Sequence, residues 1–144
     1  MILQLQLVEP RVRVWHAINQ ARKVKGLRSL ALSSTLCRIA EDHATDMNYR
    51  GYTRATAPDG LTPQQRLQYA PYQWTQGLLM ILRSSSDHAN HAVSTWLKSK
   101  AAQTLLAPDV SEIGIAHIAR RYGRATWVVY VMGGRSVRHL FPTD

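Results

Sequence analysis

Six histidines, one cysteine and nine carboxylates are the side chains from which this 144-residue chain could build a reactive site. They concentrate first in the stretch LALSSTLCRIAEDHATDM, Leu30–Met47. Two acids in one cleft could do acid–base work. Glu41, Asp42 and Asp46 fall instead opposite an apolar helical stripe, on a face where carboxylates are expected to be simply solvated. His43 lies on or beside the stripe, so it is expected to be buried and hydrogen-bonded as a structural residue. Cys37 has no activating neighbour and reads as a small core filler. His88 and His91 stand at i and i+3 near a helix start, a spacing that can bring two imidazoles onto one metal. No acid, cysteine or third histidine accompanies them, so they read as solvent-facing polar residues, with a metal pair as the alternative. His117 alternates with Ile113 and Ile115, so it points inward or lies at a sheet edge. His16 and His139 have no supporting context. Ser84–Ser86 lies in no Gly-x-Ser-x-Gly setting and reads as a loop and cap.

The elements that must position these residues follow from periodicity. Leu36, Ile39, Ala40, Ala44 and Met47 draw one apolar stripe, with Ser33 or Ser34 as N-cap and Gly51 as the stop. Before it, Pro10 opens a helix whose stripe is Val14, Ile18, Ala21 and Val24. After it, Gly51–Gly60 is loop, and Thr62-Pro63 starts a short helix through Leu67. Tyr69–Trp74 is an aromatic connection. The run Gly77–Leu82 predicts a strand covered on both faces. Ser86 or Asp87 caps a helix with Ala89, Ala92, Val93, Trp96 and Leu97 on one face. Leu105-Leu106 makes a short turn ended by Pro108. Ile113–Ala119 and Thr126–Met132 are strands joined at Arg121–Arg124, the second ended by Gly133-Gly134.

Composition bounds the rest. Apolar residues make up 45% and charged residues 19%, which suits one globular domain and excludes a disordered chain. No apolar run approaches the ~20 residues that cross a bilayer. Met1–Val8 is apolar but lacks a basic start, so it does not read as a signal peptide. Leu3, Leu5 and Leu7 alternate with glutamines there, as in a strand or an extended arm able to contact a partner. The expected division is an arm over 1–9, one domain over 10–134 and a basic tail over 135–144. A net charge of +9 favours an anionic surface or polymer. Its bases, including Arg11, Arg13, Arg22, Lys23, Lys25 and Arg28, carry no nucleic-acid signature and read as solvated surface.

The order of pieces gives a resemblance. Asn19, Ala21-Arg22 and Gly26-Leu27; Ala40, His43-Ala44 and Asp46-Met47; Pro58-Asp59-Gly60, Thr62-Pro63 and Arg66-Leu67 come in sequence. Tyr72, Trp74, Ala92-Val93, Trp96-Leu97, Ser99, Leu105-Leu106, Pro108-Asp109, Glu112-Ile113-Gly114-Ile115 and Trp127-Val128 follow. In this order and spacing the chain resembles the CAP superfamily (cysteine-rich secretory protein, antigen 5, pathogenesis-related 1), and its bacterial branch in particular, across roughly Val12–Met132. The resemblance implies an α+β fold, an α-β-α sandwich around a mostly antiparallel sheet. It also implies a secreted, periplasmic or cell-envelope setting.

Members of that family commonly line a cleft with two histidines and one or two acids that can hold a divalent metal. Here the resemblance places Ala55 at the first histidine and Gly77, beside Leu78, at the glutamate. It places Ser99 at a position acidic in some members, and Ala101 or Ala102 at the second histidine. The expectation is a degenerate cleft lined by these residues, with no metal, no cofactor and no catalysis. His43, Asp59, Glu112 and Trp96 are expected to be structural, with Asp59 shaping its loop and Glu112 fixing a turn or pairing with a base. The function expected is a binding or assembly module with a protein partner, a homo-oligomer included. Lipid or sterol binding is the alternative, and metal-dependent hydrolysis comes third.

Overall fold

Proline at the first helical position costs no hydrogen bond, and Pro10 opens α1 there (Pro10–Val24). The computed structural model describes residues 9–84, 88–121 and 124–136. The expected arm of Leu3, Leu5 and Leu7, the caps Ser86 and Asp87, and His139 lie outside them. On α1 the buried positions are Val14, Ile18 and Arg22, four apart. Val24 stands 85% exposed, because it lies about 200° around the helix from Arg22. The buried member of the last turn is therefore an arginine, which corrects both the expected stripe and the reading of Arg22 as surface charge.

The chain then forms β1 (Ala31–Leu32) and α2 (Ser34–Arg50). Of the two expected N-caps of α2, Ser33 is the one used. Ser33 starts it, its Oγ accepting the Leu36 N–H at 3.1 Å, while Ala31 and Leu32 pair with a strand. Gly51, at φ 71°, ends it and donates to the Met47 carbonyl. In α3 (Pro63–Tyr69) the Thr62 hydroxyl accepts the Gln65 N–H, and the Gln65 amide oxygen accepts the Thr62 N–H. Then follow β2 (Tyr72–Ser84), α4 (Ala89–Leu97, preceded by His88 at the N-cap), α5 (Ala102–Leu105), β3 (Glu112–Arg121) and β4 (Arg124–Ser136).

The strands form one four-stranded sheet in the order β1-β3-β4-β2, parallel only between β1 and β3. Alternation along β4 divides the core. Val128, Tyr130 and Met132 face α2 and α3, where Leu36, Ile39, Ala44, Met47 and Leu67 pack. Trp127, Val129 and Val131 face α1, α4 and α5, where Val14, Ile18, Trp96 and Leu105 pack. The fold is α+β, with helices on both faces of the sheet.

Two strand expectations change. The run Gly77–Leu82 is not covered all round. It belongs to β2, an edge strand that starts at Tyr72 and buries only Tyr72, Met80 and Ser84. The strand buried on both faces is β4, and it continues past Gly133-Gly134 to Ser136.

Candidate functional site

A cavity of about 340 Å³ opens between the start of α3, the loop before it and the α2-side face of β2. Pro63, Gln64 and Leu67 roof it, Tyr130 and Met132 floor it, and Ala55 lies at its rim. Trp74, Gly77, Leu79 and Ile81 form its wall, with Leu78 beside them. Trp74 and Gly77 share this wall only because of a bulge. Trp74 pairs with Gly134 and Gln76 with Gly133, so Thr75 is an extra residue. That shift turns Trp74 to the same face as Gly77, Leu79 and Ile81. The Thr75 hydroxyl fixes the bulge by donating to the Gly133 carbonyl at 2.7 Å.

Gly77 pairs with Met132 across the ladder. A Cβ built on it would lie 2.1 Å from the Met132 Sδ and 2.9 Å from the Val131 carbonyl oxygen. Met132 thus occupies the direction in which any side chain at 77 would point. Among the described residues the lining contains no imidazole and no carboxylate; its polar side-chain groups are the Gln64 amide, the Tyr130 phenol and the Trp74 indole N–H.

His43 lies behind the floor, fully buried. Its Nε2 is 3.1 Å from the Arg54 carbonyl oxygen, which can only accept, so Nε2 carries the proton. Nδ1 then accepts from the Tyr130 hydroxyl at 2.9 Å. Burial disfavours the charged imidazole and lowers its pKa below the ordinary value. His43 holds the cavity floor at Tyr130 and the rim at Arg54, next to Ala55. Burial raises the Tyr130 pKa well above the usual phenol range.

Asp46 departs from the sequence expectation. It is not a solvated acid. Arg50 donates to both its oxygens, Nε to Oδ1 at 2.7 Å and Nη2 to Oδ2 at 3.0 Å. Tyr52 Oη and Arg66 Nη2 also donate to Oδ2. These bonds, Arg50's first, hold the Asp46 carboxyl at a pKa of about 2. Arg50 also donates to Asp59, whose other oxygen accepts the Leu61 N–H. The network fastens the loop before α3, and α3 itself, onto α2.

Acidification is expected to weaken the fold in two stages. His43 takes up a proton more readily in the unfolded chain, so stability falls as pH drops below about 6.5. Asp46 releases its proton more readily when folded, so its contribution is intact above about pH 4 and is lost towards pH 2. Partial exposure limits that contribution to about 1 kcal/mol. Urea unfolding across this range would show both steps; His43→Gln should abolish the first, and Asp46→Asn the second.

Of the residues expected to line one cleft, Ala55, Gly77 and Leu78 come together here. Ser99, Ala101 and Ala102 do not. They belong to the α4–α5 layer, where Ala101 packs into the core on the opposite face of the sheet. Ser99 is exposed, and its Oγ donates to the Trp96 carbonyl at 2.7 Å. His88 and His91 are exposed at the start of α4. Among the described residues no three His, Cys, Asp or Glu side chains gather closely enough to hold a metal. Glu112 accepts from the Tyr72 hydroxyl, a phenol in place of the expected turn or base. Trp96 is buried edge-on to Trp127, with ring centroids 6.4 Å apart. The His117 ring lies 4.2 Å from that of Trp127, on the α4 side of the sheet. Cys37 is buried, and its thiol pKa is raised by burial.

Sequence reasoning missed Trp74, Tyr130 and Met132 as cavity residues. A glycine within an apolar strand is a sign of bulging or close approach, so Gly77 was the available signal. Nothing in the spacing joins His43 to Tyr130, 87 residues later.

Helices on both faces of a four-stranded mixed sheet make an α-β-α sandwich. The chain belongs to the CAP, or cysteine-rich secretory protein, family, whose family model matches residues 15–132. No curated protein matches it. Among solved structures it is similar to an outer surface protein of Borrelia burgdorferi, with TM-score 0.72 and 22% identity over 88% of this chain and 92% of that one. It is also similar to an extracellular SCP-domain protein of Bacillus anthracis, with TM-score 0.74 and 19% identity over 83% of this chain and 39% of that one. Venom allergen-like protein 4 of Schistosoma mansoni matches with TM-score 0.61 and 14% identity, over 90% and 92% of the two chains. At these identities the likeness speaks for the fold alone. Among the described residues no helix is long and apolar enough to cross a membrane.

Proposed function

We propose that this CAP domain is a non-catalytic binding or assembly module of a bacterial envelope or secreted setting, whose cleft takes apolar groups in place of a metal. The observation that carries this reading is the closed position at Gly77. Where the family resemblance calls for a glutamate, the Met132 thioether fills the space and the Val131 carbonyl lies behind it. A carboxylate could enter only by displacing Met132. Ala55 at the rim supplies no imidazole, and Ala101 and Ala102 lie across the sheet. The residues present do not fit a divalent ion. The setting is supported by the names of two relatives, one an outer surface protein and one extracellular.

Metal analysis of protein purified without chelators tests this directly. No stoichiometric zinc is expected, and a tightly held equivalent would overturn the reading. Gly77→Glu should cost about 1–3 kcal/mol by overpacking and gain no zinc, either alone or with Ala55→His. Adding Met132→Ala should return part of the lost stability.

A second reading is favoured by the lining itself. Trp74, Leu67, Leu79, Ile81 and Met132 make a wall for one short apolar group such as a lipid chain. Titration with a fluorescent fatty acid should then saturate at one equivalent and be lost in Leu79→Asp; an unsaturable response would end this reading.

A further inference from the structure

Charge divides unevenly between the two helical layers. From Ser33 to Ala70, the stretch that holds α2 and α3, four bases stand with four acids. From Pro10 to Leu32, which holds α1, there are six bases and no acid. From His88 to Pro108, which holds α4 and α5, there are two lysines and no acid. Of these eight bases, Arg11 is paired with Glu9 and Glu41, and Arg22 is buried. Lys23, Lys25, Arg28, Lys98 and Lys100 are exposed, and among the described residues none of them makes an ion pair.

Arg22 gathers these bases at one end of the layer. Its Nε donates to the Arg28 carbonyl and its Nη1 to the Leu105 and Ala107 carbonyls, so the turn after α1 borders α5. Lys100 stands about 10 Å before Leu105 along the α5 axis. Two bonds pin the turn: Gly26, at φ 72°, donates to the Lys23 carbonyl, and Leu27 donates to the Arg22 carbonyl. The turn presents Val24, 85% exposed, between Lys23 and Lys25, and leaves Leu27 half-buried beside Arg28. Glu9 is at the other end of α1, about 20 Å away. Asp109, in the turn before β3, is the carboxylate that follows α5.

We propose that this end of the α1–α4–α5 layer docks on an anionic lipid bilayer, with the five bases at the headgroup phosphates and Val24 in the boundary between headgroups and acyl chains. Helix C-termini favour lysine on their own account, but that gives no role to a valine exposed between two of them. A lipid interface uses both: the bases gain from anionic headgroups, and the apolar group leaves water. A soluble polyanion would use the charge alone. Single-stranded nucleic acid also needs aromatic rings to stack on, and Lys23–Arg28 has none. Lysine is depleted at protein interfaces, and it supplies four of the five bases here, which disfavours an acidic protein as the occupant.

This surface is independent of the cleft, which opens on the opposite face of the sheet. The full chain should co-sediment with vesicles of equal parts phosphatidylglycerol and phosphatidylcholine and not with phosphatidylcholine alone, and raised salt should release it. Lys25→Glu should weaken binding about 25-fold, roughly fivefold for each of the two charge units. Arg38→Glu makes the same change of charge on exposed α2 and should cost less than about twofold, because screening confines the effect to charges near the surface. If circular dichroism shows Lys25→Glu unfolded, Arg28→Glu repeats the test. Val24→Cys can carry an environment-sensitive dye, since Cys37 is buried. Its emission should shift to the blue on the mixed vesicles and not on soluble polyphosphate. Binding to neither vesicle overturns the proposal. So does vesicle binding that Lys25→Glu and Arg38→Glu affect equally, or a dye at position 24 that stays in water on the vesicle. Polyphosphate binding as tight as vesicle binding would make this face a polyanion site and overturn the lipid assignment.

Discussion

Replacing Gly114 with alanine is expected to destabilise the domain by about 3 kcal/mol, at the upper end of overpacking costs. The methyl carbon would lie 2.2 Å from the Leu36 carbonyl carbon, 2.3 Å from the Leu36 Cβ and 2.5 Å from the Cys37 nitrogen. None of these is the end of a flexible side chain. They form the first turn of α2, fixed by the Ser33 cap and by the parallel pairing of β1 with β3. Relief would require α2 to lift from the sheet. The same helix carries His43, which holds the cavity floor and rim, and Asp46, which holds the loop. Loss of packing at Gly114 should therefore reach the cleft on the far side of α2. Urea unfolding gives the magnitude. Adding Leu36→Ala should not restore stability, because the Leu36 Cβ and carbonyl carbon remain. A Gly114→Ala variant within 1 kcal/mol of the parent would show that α2 can move freely, contrary to this account.

Gly114 also shows which parts of the fold could be read in advance. Helix periods and caps are local properties, so the stripe of α2, the Ser33 cap and the Gly51 stop are all visible in the sequence. Strand order is not local. Gly77–Leu82 and Ala125–Met132 are both apolar runs, and composition cannot say which one lies inside the sheet. Pairing decides it, with β4 flanked on both sides and β2 on one. Within the site, Ala55, Gly77 and Leu78 were legible through family resemblance. What a side chain at 77 would meet depends on Met132 across the ladder, and no sequence spacing contains it. Ser99, Ala101 and Ala102 were assigned to the same cleft by the same resemblance, but Ala101 packs in the other helical layer and Ser99 is exposed beside it.

Arg22 is the clearest case of a residue whose type misleads and whose position informs. As one of a basic cluster it reads as surface. At four residues from Ile18 it falls on the buried stripe, and it is 1% exposed. Its Nε donates to the Arg28 carbonyl at 2.7 Å, and Nη1 donates to the carbonyls of Leu105 and Ala107 at 2.7 and 2.9 Å. Among the described residues no carboxylate pairs with it, and burial lowers its pKa. Two effects then compete in Arg22→Ala. Removing the guanidinium relieves the cost of a desolvated charge, which is favourable. It also leaves three inward carbonyls without their donor and opens a cavity between α1 and α5, costing about 1–3 kcal/mol for each unsatisfied group. The carbonyls outnumber the charge, so a net loss of about 3 kcal/mol is expected, read as a lower urea midpoint. Arg22→Lys tests the geometry separately. One ammonium cannot stand at both the Nε and Nη1 positions, so the Arg28 bond should be lost and about 1–2 kcal/mol with it. If lysine were as stable as arginine, the fork would be irrelevant and Arg22 would serve only as buried volume. If alanine were tolerated as well, the packing of Val14 and Ile18 and the bonds of Trp15 and Asn19 to Leu30 would be enough to hold α1.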